Sequence, residues 1–137
     1  MPTRLALAGA VLVVAGGAAG WADEAGTGAR AFQKCYACHS VEPGEHGLPG
    51  PNLHGVVGRP AGTLDGFDYS EAMIEAGRER GLVWTATTLD AFLADPEGTV
   101  PGTSMALAGL ADPAERAAVI GHVADATGGE RSHNENR

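Results

Sequence analysis

Residues 31–40 read AFQKCYACHS, and this stretch holds both cysteines of a 137-residue chain, two positions apart, with His39 directly after the second. Cys-x-x-Cys-His is the attachment signature of c-type haem. Each thiol can add to one vinyl group of the porphyrin, and two intervening residues on a helical turn let both sulfurs reach the same edge. The histidine next in line is then held beneath the iron. On this reading Cys35 and Cys38 anchor one haem c through thioethers, and His39 is an axial ligand. Two other chemistries use cysteines at this spacing. A redox dithiol of the thioredoxin kind wants a βαβ surrounding, and the chain has no convincing strand. A zinc site wants two further ligands. His46, His54, His122 and His133 are present, but none makes a second pair with the cysteines in a recognised pattern.

Iron also needs a sixth ligand, or an open position. Met105 stands in VPGTSMALAGL, a glycine-containing loop between two helical segments, where a side chain can be aimed at a fixed point. Met73 falls on an amphipathic helical stretch and reads as core filler.

The first residues read as an export signal. Arg4 precedes the apolar run LALAGAVLVVAGGAAG, and small residues at Gly20 and Ala22 place the expected cleavage after Ala22. The competing reading is a retained anchor, since Leu5–Ala22 approaches the roughly 20 residues of a spanning helix. Much of the run is Gly and Ala, however, and few residues separate it from the cysteine motif. The expected organisation is a leader over 1–22, one haem domain over 23–127 and a polar disordered tail over 128–137. Export to the periplasm agrees with the motif, because this attachment takes place outside the cytoplasm in bacteria. The formal net charge is −8, one unit more negative once Arg4 leaves with the leader. That balance speaks against nucleic acid and anionic membrane surfaces as partners.

Along the chain the pattern is helical, with long loops. Residues 28–39 read as a short helix entering the motif. From Ser40 to Tyr69 the chain is rich in Gly and Pro and shows neither helical nor strand periodicity. Such a loop suits a compact domain when it wraps a large rigid group that supplies the missing core. Ser70 then caps a short helix over EAMIEAG, with glycine as its stop. Thr87 or Thr88 caps TTLDAFLADP, which ends before Pro96. After the loop EGTVPGTSMALAGLA, Asp112 and Pro113 start the clearest helix, which runs to Gly128 and Gly129.

The order and spacing of CYACH, GPNLHGVVGR, GFDYSEAM, the tryptophan of GLVWT, LADP and VPGTSM resemble those of the class I cytochromes c, the mitochondrial type and its bacterial periplasmic counterparts. The match runs from about Gly28 to Thr127. The resemblance implies an all-α fold, four to five short helices and long loops wrapped around one covalently bound haem. It implies that Met105 is the distal ligand opposite His39, and that the carbonyl of Pro51 accepts from the far ring nitrogen of His39. It further implies that Arg59, Tyr69 and Trp84 bind one haem propionate, and that Thr103 helps with the other.

Four departures from the family pattern stand out. Phe92 occupies a place where some relatives have tyrosine, and Met73 one where some have asparagine. His122 falls where an aromatic residue often packs the last helix on the first, and reads as packing, not as a ligand. Lys34 is the chain's one lysine, whereas mitochondrial relatives ring the exposed haem edge with lysines that steer docking. The function implied is that of a monomeric periplasmic electron carrier and not an enzyme. Its partners are redox proteins: a bc1-type complex or a periplasmic dehydrogenase as donor, and an oxidase, a reductase or a photosynthetic reaction centre as acceptor. The alternatives are a haem subunit permanently docked to a dehydrogenase, or a peroxidase or gas-binding protein with a labile methionine.

Overall fold

The computed structural model describes the backbone of residues 21–134 and the side chains of 26–126. Five helices follow one another: α1 (Trp21–Phe32), α2 (Glu71–Arg78), α3 (Ala86–Ala94), α4 (Pro96–Thr99) and α5 (Pro113–Asn134). Among the described residues there is no strand beyond an isolated antiparallel bridge between Pro60 and Val83. The expected all-α architecture, with long loops between short helices, is what the chain adopts. The expected leader lies almost wholly outside the described residues, which begin at Trp21. None of the described helices is long and apolar enough to cross a membrane.

Helix α1 ends earlier than the sequence suggests. It stops at Phe32, and residues 33–38 continue as turns. Ser70 caps α2 as expected, its hydroxyl accepting from the backbone N–H of Met73 at 3.2 Å. Gly77 does not end that helix, which continues to Arg78. The glycine serves packing instead, because a Cβ there would stand 1.9 Å from the carbonyl oxygen of Ala61. Thr85, two or three residues before the expected cap at Thr87 or Thr88, starts α3 through a reciprocal capping box with Thr88. Asp95 then caps the single turn of α4, accepting from Gly98 N–H at 2.9 Å, with Pro96 at the first helical position. Asp112 caps α5 through the N–H of Ala114 at 2.9 Å. That helix continues through Gly128 and Gly129 to Asn134. Glycine lowers helix propensity by about 1 kcal/mol but keeps its N–H, so it need not stop a helix.

Helices α1 and α5 make the most extensive interhelical contact. Gly28 permits it, since a Cβ there would lie 3.1 Å from the Ala118 carbonyl oxygen and 3.2 Å from the His122 Cβ. Phe32, fully buried, stacks on His122 with ring centroids 4.9 Å apart. The remaining core includes Val56, Trp84, Phe92, Val100, Val119 and Val123.

Candidate functional site

The site begins at the end of α1. The N–H of Cys35 donates to the Phe32 carbonyl at 2.8 Å, and the Cys35 carbonyl accepts from both Cys38 N–H (3.0 Å) and His39 N–H (2.8 Å). This turn sets the two sulfurs one turn apart on one side of the backbone. Both are unpaired thiols, Cys35 half-buried and Cys38 exposed. Burial, seconded by the nearby Glu115 carboxylate, pushes the Cys35 thiol above its ordinary range.

His39 follows and turns inward; it is buried. Its Nδ1 lies 2.7 Å from the carbonyl oxygen of Pro51. A carbonyl can only accept, so Nδ1 carries the proton and Nε2 keeps the lone pair. Burial holds the imidazole below the ordinary histidine range, outweighing the opposite pull of the Pro51 carbonyl. A neutral ring, oriented by a second partner and with its lone pair on Nε2, is the form a metal ligand takes. The loop that presents Pro51 is tied back to the motif through Gly50 N–H, which donates to the Cys38 carbonyl at 2.7 Å.

A cavity of about 280 Å³ opens beside the motif. Cys35, Cys38, His39, Pro51, Arg59, Tyr69, Trp84, Thr103 and Met105 all line it, so the structure brings together every site residue expected from the sequence. Its remaining wall is largely apolar, with Phe32, Val56, Met73, Phe92 and Leu93 among the contributors. Met73, read as core filler, is buried and also faces this space.

Among the described lining residues Arg59 alone carries a full charge. A backbone pairing places it: Gly58 N–H donates to the Trp84 carbonyl at 2.6 Å, and Trp84 N–H donates to the Arg59 carbonyl at 3.0 Å. Its guanidinium donates to the carbonyl oxygens of Asn52 (2.9 Å) and His54 (3.5 Å). Both acceptors are neutral, and burial depresses its pKa from the ordinary arginine range. The Tyr69 hydroxyl accepts from Leu64 N–H at 3.4 Å, and burial raises its pKa. A half-buried cation beside a phenol and the buried Trp84 makes a receptor for an anionic group. On the methionine side, Thr103 closes a turn through its N–H to the Val100 carbonyl at 2.9 Å. Its Oγ1 accepts from Met105 N–H at 3.3 Å, fixing the backbone of Met105.

This donor set fits haem c: two thiols one turn apart, a neutral oriented imidazole, a thioether, an apolar cavity and a cation for a carboxylate. It does not fit zinc, since among the described residues no group of three His, Cys, Asp or Glu side chains converges. His122 lies off the cavity, against Phe32.

Sequence reasoning missed Gly50. A Cβ at that position would stand 2.5 Å from His39 Cε1 and 2.8 Å from its Nδ1. The only signal was a glycine among others in LPGPN, indistinguishable from a turn glycine until the imidazole is placed.

No family model matches the chain. Among curated proteins it is similar to cytochrome c2 iso-2 of Magnetospirillum fulvum, 50% identical over 93 residues, covering 68% of this chain and 92% of that protein. It is similar to cytochrome c2 of Rhodomicrobium vannielii, 40% identical over 121 residues, covering 88% and 93%. It is also similar to cytochrome c-550 of Ancylobacter novellus, 46% identical over 83 residues, covering 61% and 77%.

Proposed function

The chain belongs to the class I cytochromes c of the cytochrome c2 type, electron carriers with one covalently attached haem c, and from that premise we propose that it is a soluble periplasmic carrier whose iron is held by His39 and Met105. The observation that supports this most is the convergence of nine separated residues on one cavity, with Nδ1 of His39 fixed on the Pro51 carbonyl.

When bound, haem supplies an iron that takes up and gives back one electron. The protein's residues set the conditions for that. Cys35 and Cys38 hold the porphyrin edge by thioether bonds. His39 ligates through Nε2, its ring orientation kept by Pro51 and by the close approach of Gly50. Met105 ligates through its thioether, which favours ferrous iron and raises the reduction potential. Arg59, Tyr69 and Trp84 bind one propionate, replacing water around a charge that needs partners when buried. Thr103 assists with the other. With His39 and Met105 both holding the iron, no position would remain for a substrate, which favours a carrier over a peroxidase or a gas sensor. Residues 1–22 serve as a cleaved leader, 23–127 as the haem domain and 128–137 as a tail. The donor is a bc1-type complex or a periplasmic dehydrogenase, and the acceptor an oxidase, a reductase or a photosynthetic reaction centre.

Visible spectra of the protein matured in a periplasm test the ligation. The reduced form should be low-spin and unchanged by carbon monoxide, the oxidised form should show the near-red methionine–iron band, and Met105→Ala should lose that band and bind carbon monoxide. A wild-type protein that binds carbon monoxide readily would overturn the reading in favour of an open iron.

A further inference from the structure

The mouth of the cavity differs sharply in charge from the rest of the surface. Of the residues that line the cavity, Cys38, Pro49, Ser104 and Ala106 are exposed to solvent. None carries a charge. They sit on three segments, 35–41, 47–53 and 98–111, whose only titratable side chains are the two cysteine thiols, the buried, neutral His39 and the phenol of Tyr36. In a chain of net charge −8 this uncharged rim is a local exception.

Carboxylates stand at the edges of that rim. Glu97 accepts from Gly102 N–H at 2.9 Å, which brings it back over the loop that carries Met105. Asp112 follows the last uncharged segment directly and caps α5. Glu45 precedes the second segment and accepts from the Ser40 hydroxyl. The cations that touch these segments are largely committed within the protein: Lys34 Nζ is paired with Glu115, and Arg116, whose guanidinium donates to the Leu110 and Ala111 carbonyls, is paired with Asp90. Arg80 donates to the Thr99 carbonyl, five residues before Ser104. The mouth is therefore an uncharged patch next to which the chain places Glu45, Glu97 and Asp112, while Lys34 and Arg116 are each paired with a carboxylate of the protein.

Electron transfer at the mouth of the cavity follows from the family; we propose that in this chain the mouth recognises a redox protein presenting basic side chains around an uncharged cofactor exit. This rests on the haem reading given above and adds the chemistry of the partner. Uncharged, small side chains can be desolvated at little cost when two cofactor edges approach, whereas buried charges cannot. The flanking carboxylates remain at the rim, where charges act on the rate of encounter and its salt dependence more than on the lifetime of the complex. Docking of this kind is opposite in sign to a lysine ring.

The test uses holoprotein whose spectrum already shows the closed iron, so a failure of ligation appears in the spectrum and a failure of docking appears only in rates. Ferrous protein is mixed with the cupric form of pseudoazurin, a basic copper protein, or plastocyanin, an acidic one; the protein loses one electron and the copper gains it. Between about 10 and 200 mM ionic strength the rate with pseudoazurin should fall by at least about threefold, and that with plastocyanin should rise or hold. The double variant Glu97→Lys/Asp112→Lys should abolish or invert the pseudoazurin dependence. Glu75→Lys/Asp125→Lys makes the same net change on exposed positions of α2 and α5 and should keep most of it. At high salt, where steering is screened, Ser104→Asp should slow the pseudoazurin reaction several-fold by placing a charge in the contact. Equal effects of the two double variants, a faster low-salt reaction with plastocyanin, or an unaltered high-salt rate for Ser104→Asp would each overturn the proposal.

Discussion

Gly50 lies against the imidazole of His39 so closely that a Cβ at residue 50 would stand 2.5 Å from Cε1. The Cys38 carbonyl, at 2.8 Å from the same point, blocks the other escape. Gly50→Ala must therefore rotate the imidazole or push the 47–53 loop outward. Overpacking of this kind costs about 1–3 kcal/mol. The expected outcome is a lower melting temperature together with a weakened or shifted methionine–iron band, because the ring that faces the iron has moved. A variant with unchanged spectrum and melting point would mean that the loop yields freely.

A second glycine is constrained by the backbone alone. The Cβ of an alanine at position 77 would meet the Ala61 carbonyl oxygen at 1.9 Å, and neither side is a flexible side chain. Gly77→Ala gains helix propensity of about 1 kcal/mol in α2, yet α2 must separate from the 58–62 segment that aligns Arg59. The net effect is expected to be destabilising by about 1–3 kcal/mol, measured by denaturant unfolding of the holoprotein.

The sequence made much of this architecture legible, and the reasons are physical. The cysteine motif, Ser70, Asp112 and Pro113 are local devices whose chemistry acts within four residues, so spacing alone reveals them. The place of Met105 at the cavity was legible because a loop between helices can aim one side chain. The single turn of α4 was not, since four residues are too few for any periodicity and PEGT reads as loop. The cap at Thr85 was missed because Thr87 and Thr88 offer the same hydroxyl nearby; the bond between Thr88 Oγ1 and Thr85 N–H, at 2.8 Å, decides among them. Gly50 and Gly77 owe their roles to atoms 11 to 16 residues away, and no local pattern encodes such approaches.

Arg116 ties three elements together. Its Nε donates to Asp90 of α3 at 2.7 Å, and its Nη1 donates to the carbonyl oxygens of Leu110 and Ala111 at 2.8 and 3.2 Å. The side chain is only 13% exposed, so Arg116→Ala leaves those carbonyls short of a donor. Losing these three hydrogen bonds should cost about 1–3 kcal/mol. Arg116→Lys should recover only part of that, because one ammonium cannot reproduce the guanidinium fork. Thermal unfolding of both variants checks the order.

The pair Lys34–Glu115 predicts a pH effect of definite sign. The hydrogen bond and charge of Glu115 raise the lysine above its ordinary value near 10.5. A group whose folded pKa is raised stabilises fully below its unfolded pKa, and that stability is lost as pH rises through the folded value. Unfolding measured from pH 8 to 11 should show an alkaline decline that is shallower in Glu115→Gln. Because Lys34 is exposed, added salt should shrink the difference. A Glu115→Gln profile parallel to wild type would show that the pair contributes nothing.

His122 offers the opposite kind of prediction, a gain. Its Nε2 is buried with no hydrogen-bond partner among the described residues, while its ring packs on Phe32 at 4.9 Å and a tilt of 37°. An unsatisfied buried polar atom costs about 1–3 kcal/mol, and the ring position itself is apolar on the side of Phe32 and Gly28. Replacing imidazole by phenyl keeps a flat ring in the α1–α5 contact and removes the orphaned nitrogen. His122→Phe should therefore stabilise the holoprotein by about 1 kcal/mol, which for a domain of this size raises the melting temperature by about 4–8 °C. The visible spectrum should not change, since His122 does not line the cavity. A destabilised variant would mean that the larger ring overfills the crossing at Gly28, and Gly28 would then limit which residue stands at 122.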